Sequence, residues 1–224
     1  MHLVFRFFIL FFLVLIYSCN NDIQDKINNE FDFEIVSVDL NLNRIINDFN
    51  KLASFGDNSN KANERIAYSD YNIEALEWIK QELIDLNLQV YIDYAGNLIA
   101  KRKGLNANYK PIAFGSHIDC VPNGGHYDGQ IGVLAGIEIF RVLNENNIVT
   151  EHPLEFIVFS NEEGGVFGSR ALAGVIKEET MDVMTASGLT NREGVYKLGG
   201  DASKIFDVAR KPNAFHSFLE LHIE

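Results

Sequence analysis

The stretch that decides the fold runs from residue 111 to residue 140 and reads PIAFGSHIDCVPNGGHYDGQIGVLAGIEIF. It opens with Pro111–Ser116, a short apolar run that suits a buried strand. A glycine-containing loop follows, and Gln130–Asn146 then carries apolar residues at helical spacing. Gly132 and Gly136 give this helix a small face for close packing. The stretch therefore predicts a strand, a loop and a helix in that order.

Further elements are predicted on both sides of this unit. Apolar residues at helical spacing predict helices over 40–53 and 70–86, and Ser69 or Asp70 can cap the second one. Strands are predicted over 89–94 and 98–103 around a Gly96-Asn97 turn, and over 154–160 and 215–223. Strands that alternate with helices predict an α/β fold, a three-layer sandwich with a mixed sheet. In such sheets the chemistry lies at the carboxyl ends of the strands.

The first candidate site residues follow the strand at 111–116. His117 can offer a neutral ring nitrogen to a metal, and Asp119 can accept the other ring N–H and fix the tautomer. The glycines of the loop at 123–129 let the chain fold back, so that Asp128 can approach His117. An aspartate with two free oxygens can bridge a pair of metal ions.

Two further strand ends carry chemistry. Glu162 and Glu163 follow the strand at 154–160, and one carboxylate can ligate a metal while the other holds a proton. On the last predicted strand, alternation places Glu220, His222 and Glu224 on one face, so His222 is a further candidate ligand. Taken singly, a buried histidine is more often a core residue, and paired glutamates are more often solvated. Their occurrence in order at strand ends favours a metal site.

Charge and composition exclude several classes of protein. The 224 residues include 31 acidic and 19 basic ones, which gives a formal net charge of −12. This charge would repel phosphate backbones, so we expect no nucleic-acid partner. Apolar residues make up 47% of the chain, which is ordinary for a folded domain.

The first residues have the pattern of an export signal. Residues 7–17 are all apolar, and His2 and Arg6 precede them. The run ends at Ser18-Cys19 in a pattern that resembles a bacterial lipobox, which predicts a signal peptide over 1–18 and lipidation of Cys19. Residues 19–38 would be a tether that holds the domain at a membrane facing the periplasm or the cell exterior. A plain anchor helix and a secretory signal cut elsewhere are the alternatives.

Five stretches together resemble a known group, the M20-type metallohydrolases, in the branch of allantoate amidohydrolase, N-carbamoyl-L-amino acid hydrolase and β-ureidopropionase. The resemblance covers about residues 40–224. The stretches that carry it are Gly115-Ser116-His117-Ile118-Asp119, residues 121–129, Asn161-Glu162-Glu163-Gly164, residues 168–174 and Glu220-Leu221-His222-Ile223-Glu224. The resemblance implies a zinc-exopeptidase-like catalytic domain and a small-molecule amide or ureido substrate.

The resemblance also implies roles for individual residues. His117 and His222 would bind one divalent metal, Glu163 a second one, and Asp128 both, with a water between the two ions. Glu162 would be the general base, and Asp119 would orient His117. The metals would be zinc, with manganese or cobalt as alternatives. The implied reaction is hydrolysis of linear amide or ureido C–N bonds.

One departure from the family concerns length. Members continue past the His-Ile-Glu stretch into a second domain that serves as lid and dimer surface, and they return to supply a last metal histidine. We therefore expect residues 39–224 to be the amino-terminal part of the catalytic domain, without the lid and dimerisation domain, while full-length relatives form homodimers. Two other functions stay open, namely a non-catalytic remnant or lipid-anchored binding protein with a partial metal site, and a peptidase or deacylase of the same fold.

Overall fold

The structure is a computed structural model that describes residues 38–56 and 63–223. The predicted signal peptide at 1–18, the tether up to residue 37 and Glu224 lie outside the described residues. Within the described ranges, no helix combines the length and the apolar character needed to cross a membrane.

A mixed five-stranded sheet forms the centre of the domain. Its strands are β1 (Gln89–Ile92), β2 (Leu98–Arg102), β3 (Ile112–His117), β4 (Leu154–Phe159) and β5 (Ser217–Leu219). They lie in the order β1-β2-β4-β3-β5. The pairs β1–β2 and β2–β4 are antiparallel, whereas β3 runs parallel to both β4 and β5. The carboxyl ends of β3 and β4 therefore meet at one edge of the sheet.

Helices surround the sheet. They are α1 (Leu42–Ser54), α2 (Asp70–Asp85), α3 (Gln130–Glu145), α4 (Phe167–Leu172), α5 (Glu178–Met181) and α6 (Asn191–Lys197), followed by a 3-10 helix at Ala202–Val208. Helices α1, α2 and α3 match the three that were predicted, whereas the shorter helices that follow β4 were not predicted. Ser69 is the cap of α2, because its side chain accepts the backbone N–H of Asn72. The prediction of a Ser69 or Asp70 cap is thus resolved in favour of Ser69.

Two apolar cores lie on opposite faces of the sheet, because successive residues of a strand point to opposite sides. Phe156 and Val158 of β4 pack with residues of α1, α2 and α3. Ile157 and Phe159 pack with residues of α4, α5, α6 and the 3-10 helix. The predicted three-layer α/β sandwich with a mixed sheet is therefore confirmed.

Helix α3 lies very close to the sheet, as its glycines predicted. A side chain at Gly136 would overlap the ring of Phe156, and one at Gly132 would overlap the carbonyl oxygen of Leu221. The absence of side chains at these two positions lets both the sheet and the segment after β5 approach the helix.

Two predicted strands are too long. The last one extends only over Ser217–Leu219 instead of 215–223, because the chain then leaves the sheet and passes over α3 at Gly132. The strand predicted over 89–94 ends at Ile92, because the Asp93 carboxylate accepts the backbone N–H groups of Ala95 and Asn97 and closes the turn. The hairpin itself is confirmed by the register of β1 with β2.

Candidate metal centre

His117 is the last residue of β3, and its side chain is only 1% exposed. Its Nδ1 lies 3.0 Å from the carbonyl oxygen of Asp119, which makes Nδ1 the protonated nitrogen of the neutral ring. The Asp119 carboxylate is farther away, with Oδ1 at 3.6 Å from Nδ1. Asp119 therefore accepts the ring N–H of His117, as predicted, chiefly through its backbone carbonyl and less through its carboxylate.

The Asp119 carboxylate instead holds the turn that follows β4. Its Oδ1 lies 3.3 Å from the backbone nitrogen of Glu162, and its Oδ2 lies 3.1 Å from that of Glu163. Both N–H groups donate to a carboxylate that is almost completely buried. Asp119 thus ties the end of β3 to the acidic pair at the end of β4.

The glycine-containing loop brings Asp128 back to His117. Gly129 adopts the left-handed conformation with φ +69, and a side chain there would overlap the His117 ring. The Asp128 carboxylate consequently lies next to two imidazoles, with Oδ1 at 3.9 Å from His117 Nε2 and 3.3 Å from His222 Nε2.

His222 reaches the same place from the segment beyond β5. Glu220, two residues earlier, accepts a hydrogen bond from the Ser116 hydroxyl at 2.8 Å. The two Nε2 atoms of His117 and His222 are 3.1 Å apart, and the rings are stacked. Glu220 and His222 therefore face the end of β3, although only Ser217–Leu219 is strand. Glu224 lies outside the described residues.

The hydrogen bonds of the two rings leave a place for a cation between them. His222 Nδ1 lies 2.6 Å from the carbonyl oxygen of Ile223, so both histidines direct an Nδ1–H group at a carbonyl. In the neutral rings both Nε2 atoms then carry lone pairs, and these point at each other. Asp128 Oδ1, which has no hydrogen-bond partner, adds a third electron-rich atom.

This donor set fits a divalent metal. The ligand atoms of His117, Asp128 and His222 all lie within 4.8 Å of one another. Two imidazoles and a carboxylate are ordinary ligands of zinc and of neighbouring transition metals. A proton can also satisfy the cluster, because burial lowers the pKa of His117 but Asp119 and Glu162 outweigh it and raise that pKa to about 9. A bound metal would displace this proton.

Glu162 and Glu163 lie beside this group. Glu162 Oε2 is 3.5 Å from His117 Nε2, and its side chain is partly exposed. Burial is the largest cause that raises the pKa of both carboxyl groups, with His117 opposing it. Glu163 lies outside the group of three, so the structure brings together His117, Asp128, His222 and Glu162 but does not place Glu163 among the three converging ligand atoms.

Two side chains, those of Arg65 and Asn97, support the site through contacts that were not predicted. Arg65 is fully buried and donates through Nε to the Ile118 carbonyl at 2.7 Å, and through Nη1 to two carbonyl groups of the segment at 52–55. Burial lowers its pKa to about 10. Asn97 accepts the backbone N–H of Ser160 at 2.9 Å and so fixes the end of β4. Neither contact has a local sequence signal, because each joins segments that are distant in the chain.

Comparison with known proteins finds a family model that covers this site. The model described as peptidase family M20/M25/M40 matches residues 113–224, which is half of the chain. A crystal structure of a hydantoinase/carbamoylase family amidase from Burkholderia ambifaria matches with a TM-score of 0.75 and 31% identity. The match covers 84% of this chain and 46% of that one.

Several curated proteins are similar in sequence. N-carbamoyl-L-amino acid amidohydrolase from Geobacillus stearothermophilus is 38% identical over 165 residues, which are 71% of this chain and 40% of that protein. Ureidoglycolate hydrolase from Arabidopsis thaliana is 33% identical over 189 residues, covering 80% and 40%. Allantoate deiminase from the same plant is 30% identical over 170 residues, covering 72% and 32%. The chain spans less than half the length of each of these relatives.

Proposed function

This chain belongs to peptidase family M20/M25/M40, and we propose that it is a metal-dependent amidohydrolase that cleaves linear amide or ureido C–N bonds. The observation that carries the proposal is the convergence of two Nε2 lone pairs and the Asp128 carboxylate next to Glu162. The similar proteins are named for their action on N-carbamoyl amino acids, ureidoglycolate and allantoate. These names support linear amide or ureido compounds as the substrate class.

In this proposal the side chains divide the work among themselves. His117 and His222 would hold one divalent metal, Glu163 a second one, and Asp128 both, with zinc first and manganese or cobalt as alternatives. The bound metals would supply a Lewis acid that polarises the substrate carbonyl and lowers the pKa of water. Glu162 would accept a proton from the attacking water and deliver it to the leaving nitrogen.

The neighbouring groups give Glu162 its position for this role. Its backbone N–H is held by Asp119, and the same aspartate fixes the tautomer of His117 through its carbonyl. Asp119 therefore holds both the proton acceptor Glu162 and the ligand His117, and this restricts changes in the distance between them. Constant separation matters because proton transfer requires heavy atoms within hydrogen-bond reach of each other.

The decisive experiment measures metal content and turnover on the same purified chain. We expect bound divalent metal and ammonia release from N-carbamoyl amino acids or allantoate. Glu162→Gln should abolish turnover and leave the metal content unchanged, since Glu162 is the proton carrier and not a ligand. Glu179→Gln is the matched control, because Glu179 is an exposed residue of α5.

Other outcomes would favour the alternatives. Cleavage of dipeptides without cleavage of ureido substrates would overturn the proposal in favour of a peptidase or deacylase. One loosely held metal and no turnover with any of these substrates would overturn it in favour of a non-catalytic binding protein.

The location of the site is a separate proposal. We infer from the lipobox-like pattern that Cys19 carries a lipid and holds the domain at a membrane. Cys19→Ser should move the protein from the membrane fraction to the soluble fraction and abolish incorporation of a labelled fatty acid. Membrane association that persists in this variant, without any lipid label, would overturn the inference.

A further inference from the structure

We propose that Asn191, which lies 30 residues from Asn161 in the chain, is a positioning residue for the acidic turn, defined as residues 161–166. The functional importance of this turn rests on the proposed function, because Glu162 and Glu163 belong to it. Asn191 is the first residue of α6, and its side chain is buried. It touches neither histidine of the cluster, so any effect on the site passes through the turn.

The acidic turn begins at a residue in an unusual conformation. Asn161 has φ +44, in the left-handed region that non-glycine residues seldom adopt, although asparagine adopts it more often than most. Its carboxamide lies inside the turn, where a side chain at Gly164 would overlap it. Asn161 Nδ2 donates to Asn191 Oδ1 at 2.7 Å, so this bond reaches the turn from within.

The carboxamide of Asn191 has a fixed orientation. Its Oδ1 accepts from Asn161 Nδ2 and from the Tyr68 hydroxyl at 3.2 Å, while its Nδ2 donates to the Thr180 carbonyl at 2.9 Å. A flipped amide would place its NH₂ group against the NH₂ group of Asn161 and its oxygen against a carbonyl oxygen. The partners therefore select one orientation, with the acceptor directed at the turn.

Tyr68 supports Asn191 from the other side. Tyr68 is fully buried, has φ +66, and packs so closely on α6 that a side chain at Gly194 would overlap its ring. Tyr68 and Asn161, which both have left-handed backbone conformations, thus both donate a hydrogen bond to Oδ1 of Asn191. Such conformations persist where the surrounding contacts determine them, and they are frequent at functional sites.

The acidic turn is consequently held from two sides. On one side, Asp119 accepts the backbone N–H groups of Glu162 and Glu163. On the other side, Asn191 holds Asn161. Loss of the Asn191 bond removes one of these two attachments, and small displacements of reacting groups lower turnover strongly.

Hydrogen exchange on the full chain tests this proposal without requiring turnover. We expect Asn191→Ala to accelerate exchange of the amides of the acidic turn by about ten-fold or more relative to wild type. The exchange rates of amides in β3 and α3 should rise less than those of the turn. Leu83→Ala, a core variant that lowers global stability without touching the turn, shows the pattern that a purely global effect would give. Equal acceleration everywhere, or an unchanged turn, would overturn the proposal.

Two further variants keep the test decisive. Asn161→Gly tolerates the left-handed backbone and removes only the carboxamide, so it should accelerate the turn like Asn191→Ala, and the double variant should add little. Additive single effects would count against the Asn161–Asn191 bond.

The exchange result and the Glu162→Gln experiment fail independently. If the turn loosens in Asn191→Ala while no substrate is turned over by wild type, the positioning stands and the proposed function falls. With turnover in wild type, Asn191→Ala should lower kcat and leave KM nearly unchanged, because it displaces the proton carrier and not the substrate.

Discussion

The carboxylate of Asp119 accepts the backbone N–H of Glu163 at 3.1 Å, and this contact joins the ends of two strands into one site. The same residue directs its carbonyl oxygen to Nδ1 of His117. Asp119 therefore determines both the tautomer of a candidate ligand and the position of the acidic turn. Its almost complete burial makes these bonds strong and their loss costly.

Asp119→Asn should weaken both the fold and the metal site. The backbone N–H groups of Glu162 and Glu163 each need an acceptor oxygen, but the amide of asparagine has only one oxygen. One N–H group therefore stays unpaired, at a cost of about 1–3 kcal/mol. Residues that support ligands typically change metal affinity by about 10–100-fold. Thermal unfolding and calorimetric zinc titration check this prediction. Asp207→Asn, at an exposed position, should change neither quantity.

His222→Ala should lower the affinity for divalent metal by at least about ten-fold, because it removes one of three converging ligands. The measurement is a Co²⁺ titration followed by absorption, in which the bands of the coordinated ion should weaken. His152→Ala is the matched control, since His152 contacts the rings of His216 and Tyr109 in tilted arrangements and is no part of the cluster. Equal losses in the two variants would contradict the assignment of His222.

Gly129→Ala should destabilise the chain and disturb the cluster. Alanine at this position would have to adopt φ +69, which is unfavourable for it, and its methyl group would overlap the His117 ring. We expect a loss of about 1–3 kcal/mol in denaturant unfolding, the usual cost of such strain. Gly125→Ala, in the same loop, meets nothing within 4 Å and should stay within about 0.5 kcal/mol of wild type.

Arg65→Met should be among the most destabilising substitutions in the described part of the chain. It leaves the carbonyl groups of Phe55 and Ile118 without their donor, at about 1–3 kcal/mol each, and it removes one of the two donors to the Leu52 carbonyl. The free energy of unfolding from urea titration measures the effect. Arg192→Ala removes ion pairs with Glu178 and Asp182 at the surface and should destabilise the chain much less.

Cys120 should resist alkylation as long as the chain is folded. Burial raises the pKa of its thiol to about 11, so that at pH 8 roughly a thousandth is thiolate, against roughly a quarter of a free cysteine. Only the thiolate reacts with iodoacetamide, so the rate should rise with pH and jump in urea. Mass spectrometry of Cys19→Ser, in which Cys120 is the remaining cysteine, follows the reaction. Rapid labelling of the native variant at pH 8 would disprove this.

Much of the fold could be predicted because its signals are local. The helix over 130–146 and the strands over 111–116 and 154–160 follow from the spacing of apolar residues, and the structure moves their ends by about one residue. The last strand was predicted too long, because the alternation of residues 215–223 continues after the chain has left the sheet. Alternation reports an extended backbone but not whether a partner strand lies beside it.

The candidate site was predictable in its residue types but not in its contacts. His117, Asp128 and Glu162 follow strand or loop signals, and the structure brings them together with His222. That Asp119 uses its carbonyl for His117 and its carboxylate for the acidic turn depends on the relative position of two strand ends. The contacts of Arg65 with Ile118, of Asn97 with Ser160 and of Asn191 with Asn161 gave no local signal, because each joins residues far apart in the chain.

The sequence by itself determined which elements form, because periodicity, capping and turn formation act between residues close in the chain. It also indicated a metal site, because imidazoles and carboxylates that occur together at several strand ends are typical of metal ligands. Only the tertiary structure decided that two Nε2 atoms 105 residues apart lie 3.1 Å from each other. The physical reason is packing. The strand order and the lack of side chains at Gly129 and Gly132 determine which side chains can approach each other.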